Sequence, residues 1–255
     1  MEKQGDAGFI PRQKYEKAAF LFLFLGVPFA FVWDCLVVTP TYYDKTTWVV
    51  VAHYASELYI IINILGNFYM AIKLEILRHV QTIFTTQIIP LQKCNACSLK
   101  RDHHCIYLGT CVSYFNLRYF IVAVVYIWIG AVYGLIYYLP FYINTTDFSC
   151  YTFLQLIAPH VAIFFGYMTS YTLLLSVFLI LILAILIFST FILYEQTTAI
   201  IKGQTQWERK HDVKTYNIGF YKNMKQALGE KWYLVWLFPT VVSPLLCDGI
   251  SFAQT

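Results

Sequence analysis

Charge is scarce in this sequence. Asp, Glu, Lys and Arg supply 13% of its 255 residues, about half of the ~25% usual in soluble domains. So low a charge content excludes a disordered chain, which stays open through net charge and low hydrophobicity. Glycine is scarce as well: 12 residues exclude a collagen-like repeat, where every third residue is Gly. Cysteine is absent between Cys35 and Cys94, and seven in the whole chain are too few and too uneven for a secreted disulfide scaffold. No internal repeat is visible, which excludes solenoids. What the chain has in abundance is apolar surface: 59% hydrophobic and 19% aromatic residues. A water-soluble globule of this length has nowhere to hide it. The class that remains is an all-α polytopic membrane protein.

A spanning helix needs about 20 apolar residues, since the hydrocarbon core is ~30 Å thick. Residues 18–38, 48–72, 119–139 and 171–194 meet this. The first carries only Asp34 and the second only Glu57 as charges, and Pro140 is expected to close the third. Asp34, near its span's end, is expected to reach water. Glu57 is costly in lipid and is expected to face the bundle interior or a wet cavity, in a packing or hydrogen-bonding role. Residues 151–170 are apolar but broken by Pro159, His160 and Gly166, and read as a re-entrant or lumenal cap. The first apolar run is too long for a signal-peptide core and lacks a small-residue cleavage site.

All but Lys45 of the 18 basic residues fall on one face under this four-span topology, and the positive-inside rule makes that face cytosolic. A fifth crossing at 151–170 would carry the basic tail to the other side. The chain then divides into a cytosolic stub (1–17), spans one and two (18–72), a cytosolic Cys-rich segment (73–118), spans three and four with the cap (119–194), and a cytosolic tail (195–255). The tail's charges are scattered and lie beside a membrane, so they suit anionic lipid and not nucleic acid. Residues 232–246, with Pro239 and Pro244 inside, read as an interfacial segment. Asn144-Thr145-Thr146 is a sequon close to the bilayer. Cys35 and Cys150 both fall toward the lumen and could pair.

Four cysteines and two histidines crowd into 18 residues: Cys94, Cys97, His103, His104, Cys105 and Cys111. In the cytosol such clustering points to metal or to thiol chemistry. Cys94, Cys97, one His of the pair and Cys111 would make a closed, structural Cys3His zinc site. Asp102-His103-His104-Cys105 also places a carboxylate, an imidazole and a thiol within four positions. A thiolate is the nucleophile, a neighbouring imidazole lowers its pKa, and a carboxylate can orient the imidazole. Lys100 and Arg101 add positive potential. In an extended segment two adjacent side chains point opposite ways, so one His can serve a metal and the other the thiol.

The Asp102-His103-His104-Cys105 string, with Cys94-x-x-Cys97 before it and Cys111 after, resembles the DHHC-type protein S-acyltransferases, also called palmitoyltransferases. Asn116 and Phe120 fit the same pattern. Thr205-Gln-Trp-Glu208 is similar to the family's Thr-Thr-x-Glu motif, and Asn223 with Gly229 to its Asn-x5-Gly element. Residues 203–208, 227–232 and 248–252 resemble the 24-like subgroup. The resemblance implies four transmembrane helices with a zinc-binding cytosolic module between helices two and three. It implies a long-chain acyl group carried from palmitoyl-CoA through a Cys105 thioester to cysteines of membrane-associated substrate proteins, with His103 as base and Asp102 orienting it. The alternative role for Glu57 is then a part in shaping an acyl cavity. Cys94, Cys97, His104 and Cys111 match zinc ligands, and an endoplasmic reticulum or Golgi location is implied.

The chain also departs from the pattern. Pro90 and Leu91 stand where the family has an upstream His-Cys pair, and an earlier Cys-x-x-Cys is missing. One structural zinc is therefore expected where the family has two. Ile106-Tyr107 replaces Pro-Trp, Ser113 replaces Gly, and Gln206 replaces the second Thr of the tail motif. The alternative reading is a catalytically impaired relative, a membrane zinc-knuckle adaptor.

Overall fold

The computed structural model describes residues 9–11, 13–43, 47–85, 100–146, 151–249 and 252. Cys94, Cys97 and Cys150, and with them half of the expected zinc ligands and the Cys35–Cys150 pairing, lie outside the described residues.

Helices dominate because most of the chain is apolar without the period-two alternation of a strand. In order they are α1 (Lys14–Trp33), a π-helical turn (Asp34–Val38), α2 (Thr39–Tyr42), α3 (Trp48–Thr85), then the strands β1 (His103–Cys105) and β2 (Thr110–Val112). There follow α4 (Leu117–Thr146), α5 (Tyr151–Ile157), α6 (Pro159–Phe164), α7 (Ser170–Ile201), α8 (Gln206–Lys210) and α9 (Phe220–Leu228). Four stretches are long and apolar enough to cross a bilayer: Lys14–Tyr42, Trp48–Leu77, Leu117–Thr146 and Ser170–Ile201. This is a multi-pass membrane protein. The expected spans are all present, each inside a longer helix. Residues 151–170 form two short helices, neither long enough to span.

Two expectations are corrected. Pro140 does not close the third span, since α4 runs through it to Thr146. Pro28 likewise sits inside α1. Proline interrupts helices in water by freeing a carbonyl, but membrane helices tolerate it where neighbouring groups or local adjustments satisfy the freed backbone. Asp34 is not free in water. Its side chain is 14% exposed and bonded to His53 and Thr39.

The chain forms two compact units. The first comprises Met1–Pro28, Ile61–Val124 and Ile192–Thr255, and the second Phe29–Ile60 and Val125–Phe191. In the second unit Val38, Tyr138, Phe141, Tyr142, Leu175 and Leu179 form a closed apolar cluster. Its hydroxyls find partners: Tyr138 donates to the Leu175 carbonyl at 3.0 Å, and Tyr142 meets Ser176 at 2.9 Å. Lipid offers no hydrogen bonds, so such groups must be satisfied within the protein. Exposed apolar residues on α7, such as Ile187, Phe191 and Tyr194, are the surface that lipid solvates.

In the first unit the β1–β2 hairpin is held at the start of α4. Gly109, at φ 61°, makes its turn, and the Leu108 and Gly109 amides both donate to the Cys105 carbonyl. Asn116 is fully buried beneath it: its Oδ1 accepts from the Ser113 amide at 2.7 Å, and its Nδ2 donates to the Cys111 and Ala71 carbonyls. The tail returns onto α3, where a Cβ on Gly66 would meet Pro239 at 2.7 Å. Residues 230–249 form turns that Arg118 and Ser243 tie down: Arg118 donates to the Ser243 carbonyl, and Ser243 Oγ to that of Leu228.

Candidate active site and zinc module

The hairpin register explains why two adjacent histidines can do different work. His103 pairs with Val112, His104 with Cys111 and Cys105 with Thr110. Side chains alternate along a strand, so His103 and Cys105 share one face while His104 and Cys111, directly opposite each other, share the other.

On the first face, Cys105 is buried, at 7% exposure. His103 hydrogen-bonds to Cys105 and, through Nδ1, to Asp102 Oδ2 at 2.7 Å. Phe120 packs edge-on against the imidazole, with centroids 5.0 Å apart. Burial works against a charged ring, but the hydrogen bonds to Asp102 and Cys105 and the negative charge on both outweigh it, and push His103 up from 6.5 to about 9. The ring is therefore built to hold a proton beside the sulfur.

Asp102 is fixed from three directions. Besides His103, its Oδ2 accepts from Gln196 Nε2 at 2.8 Å, and its Oδ1 from the Gln206 backbone amide at 2.6 Å. Gln206 is the first residue of α8, and Thr205 caps that helix. Thr205 Oγ1 accepts from the Glu208 amide at 3.1 Å while Glu208 Oε2 accepts from the Thr205 amide at 2.7 Å. This reciprocal capping box satisfies two otherwise orphaned donors. It leaves the next amide pointing at Asp102. The Thr205 and Glu208 singled out by sequence thus act by holding the carboxylate's partner.

On the second face, His104 Nδ1 lies 3.7 Å from Cys111 Sγ. Zinc with Zn–S of ~2.3 Å and Zn–N of ~2.05 Å at a tetrahedral angle separates these atoms by about 3.5 Å, so the pair fits that ion. The other ring nitrogen, Nε2, meets Glu16 Oε1 at 2.9 Å, and the Glu16 side chain is 5% exposed. A carboxylate on the far nitrogen of a ligating His is the usual outer support of a zinc site.

Asn223 does different work from the rest. It is 2% exposed, donates to the Ile201 carbonyl and Asn217, and accepts from the Ile218 amide. These bonds tie α9 to the end of α7. Lys100 places its Nζ over the rings of Tyr216 at 4.6 Å and Phe252 at 4.3 Å, and burial draws its pKa down.

Sequence reasoning missed Glu16 and Gln196. Gln196, at 3% exposure, had one faint signal: a polar residue in the last turns of an otherwise apolar helix. Glu16 had none.

Residues 91–213 match the family model described as DHHC palmitoyltransferase. The chain is 28% identical over 166 residues to the rat protein named probable palmitoyltransferase ZDHHC24, and 31% identical over 166 residues to its mouse counterpart. Each match covers 62% of this chain and 57% of the relative, so the chain spans little more than half the length of these curated proteins. A zebrafish protein named palmitoyltransferase ZDHHC22 is 26% identical over 229 residues, covering 78% of this chain and 81% of that protein.

Proposed function

We propose that this chain is a DHHC-type protein-cysteine S-palmitoyltransferase, similar to the 24-like subgroup; the match of residues 91–213 to the DHHC palmitoyltransferase model and the similarity to the ZDHHC24 proteins support the reading. The observation that carries the reading is the Asp102–His103–Cys105 line, with Asp102 held by Gln196 and by the first amide of α8.

In the first step the Cys105 thiolate attacks the thioester carbonyl of palmitoyl-CoA. The new S–C bond forms, the bond to the CoA sulfur breaks, and His103 gives the departing thiolate its proton. In the second step a substrate cysteine attacks the Cys105 thioester. His103 takes the incoming thiol's proton and returns it to Cys105 as that thiolate leaves. Asp102 fixes the ring tautomer and stabilises the imidazolium throughout, the role a carboxylate plays beside any catalytic imidazole. Cys94, Cys97, His104 and Cys111 would hold one structural zinc, which would anchor the Cys-rich segment and supply no group to either step. The donor is acyl-CoA, and the acceptors are cytosolic cysteines of membrane-associated proteins. The placement of basic residues supports a cytosolic active site, in the endoplasmic reticulum or Golgi.

The test is incubation of detergent-purified protein with labelled palmitoyl-CoA, followed by hydroxylamine. Wild type should carry a hydroxylamine-sensitive label and Cys105→Ser should not, while Cys105→Ala should keep the wild-type metal content. Thioester label persisting on Cys105→Ser sinks the assignment. An unlabelled wild type that holds its zinc supports the adaptor reading instead.

A further inference from the structure

Three groups that the transferase chemistry does not use converge inside the second unit. His53 and Glu57 are four residues apart on α3 and so share a face. Asp34 opens the π-helical turn after α1. His53 Nε2 lies 2.8 Å from Asp34 Oδ2 and 3.8 Å from Glu57 Oε1. All three donor atoms fall within 4.8 Å of one another. A tetrahedral zinc with N and O ligands at ~2.0–2.1 Å separates its donors by about 3.3 Å, a value the two observed separations bracket.

The surroundings favour a cation at this point. The imidazole is 3% exposed and both carboxylates are 14% exposed. The stretches that carry them are bilayer-spanning, where a carboxylate needs a compensating partner. Among the described residues no Lys or Arg pairs with either acid. Glu57 Oε2 is shut off from solvent with no hydrogen-bond partner among those residues. The far nitrogen of His53, Nδ1, is taken up by the Tyr133 hydroxyl at 2.7 Å, and the Tyr137 ring packs against the imidazole. That outer bond sets the ring so that Nε2 faces the two carboxylates, as the outer partner of a metal-ligating His does. A proton on His53 would offset one negative charge and leave Glu57 Oε2 orphaned. A divalent ion offsets both charges and can take that oxygen as well.

We propose that Asp34, His53 and Glu57 form a metal site of their own for a divalent transition ion of the zinc class. The proposal is independent of the transferase reading. One imidazole and two carboxylates suit zinc, iron or manganese; calcium and magnesium sites are built from oxygen alone. Three protein ligands leave a fourth position for water, unlike the closed set expected in the Cys-rich segment. Asp34 Oδ2 also accepts from Thr39 at 2.5 Å, which steadies the carboxylate.

The probe is cobalt(II), loaded into the full chain purified in detergent. Cobalt held by the cysteines shows sulfur-to-metal charge-transfer absorption, and cobalt held by oxygen and nitrogen does not. Wild type should bind one cobalt without thiolate absorption, beside whatever the cysteines hold. His53→Gln and Glu57→Gln should each lose that ion and keep the thiolate band in full, which also reports that the variants are folded. A wild-type protein whose only bound cobalt is thiolate-ligated overturns the proposal without any variant. Retention of the thiolate-free ion in both variants overturns the ligand assignment.

Discussion

Replacing Asp102 with Asn changes one carboxylate oxygen to an amide nitrogen and little else. In the native site Oδ2 accepts from His103 Nδ1 and Gln196 Nε2, and Oδ1 from the Gln206 amide. Asn can keep its oxygen toward Gln206, but its NH2 then faces two donors. His103 must answer by moving its proton to the nitrogen that faces Cys105, where it can no longer accept one. Turning the amide over restores the His103 contact and sets NH2 against the Gln206 N–H, a buried conflict worth about 1–3 kcal/mol. The rate cost has two parts. The interactions that carry His103 from 6.5 to about 9 correspond to roughly 3 kcal/mol. Asp102 shares them with Cys105, so half to all of that loss slows the reaction about 10- to 10²-fold. A wrongly set tautomer extends the loss toward ~10⁴-fold. The assay is single-turnover formation of the hydroxylamine-sensitive acyl-enzyme, with zinc content measured on the same sample. Zinc should be unchanged, because His104 and Cys111 occupy the other face of the hairpin. A zinc-replete Asp102→Asn protein acylating within about threefold of wild type would refute the orienting role, since general acid–base help is worth ~10²–10⁴-fold.

The two histidines should separate in the same assay. His103→Ala is expected to keep zinc and slow acylation by ~10²–10⁴-fold, while His104→Ala loses zinc first and activity with it; the reverse pattern means the faces are assigned the wrong way round. Glu16→Gln removes the charge behind His104 Nε2 and should weaken zinc binding by about 10- to 100-fold, read by chelator competition; an unchanged affinity leaves Glu16 a packing residue only. Asn116→Ala strands the Ser113 amide and removes the side-chain donor to the Cys111 carbonyl, each costing about 1–3 kcal/mol if left unsatisfied. It should lower the denaturation midpoint in detergent sharply, and a midpoint equal to wild type would show that water replaces the amide.

The spans were legible because lipid imposes one demand on every segment that crosses it, and only a long apolar helix meets that demand here. Their ends were less so: Pro140 is a stop signal for helices in water and is carried inside α4 here. The opposite facing of His103 and His104 was legible because strand alternation is local and needs no knowledge of the rest of the chain. The supports of the site were not. Gln196 and Glu16 reach it across 94 and 88 residues of sequence, and no spacing rule spans that distance. His53 escaped notice for the same reason, since its partners Asp34 and Tyr133 come from other helices.

The departures from the family pattern can now be sorted by what each residue does. Gln206 replaces a threonine, yet the group that reaches Asp102 is its backbone amide, which any residue but proline supplies. The capping box that aims this amide needs Thr205 and Glu208, and both are kept. Ser113 replaces a glycine and is 1% exposed, but its hydroxyl donates to Glu75 at 3.0 Å, so the added polar atom is satisfied in place. These two substitutions therefore leave the Asp102–His103–Cys105 line intact. Pro90 and Leu91 are of another kind, because neither side chain can ligate zinc. On the proposed reading, their failure to supply ligands would weaken the metal site and with it the stability of the Cys-rich segment. Activity lost through the missing zinc ligands should then be recovered by stabilising the hairpin, whereas any loss through Ile106-Tyr107, which directly follows Cys105, should not.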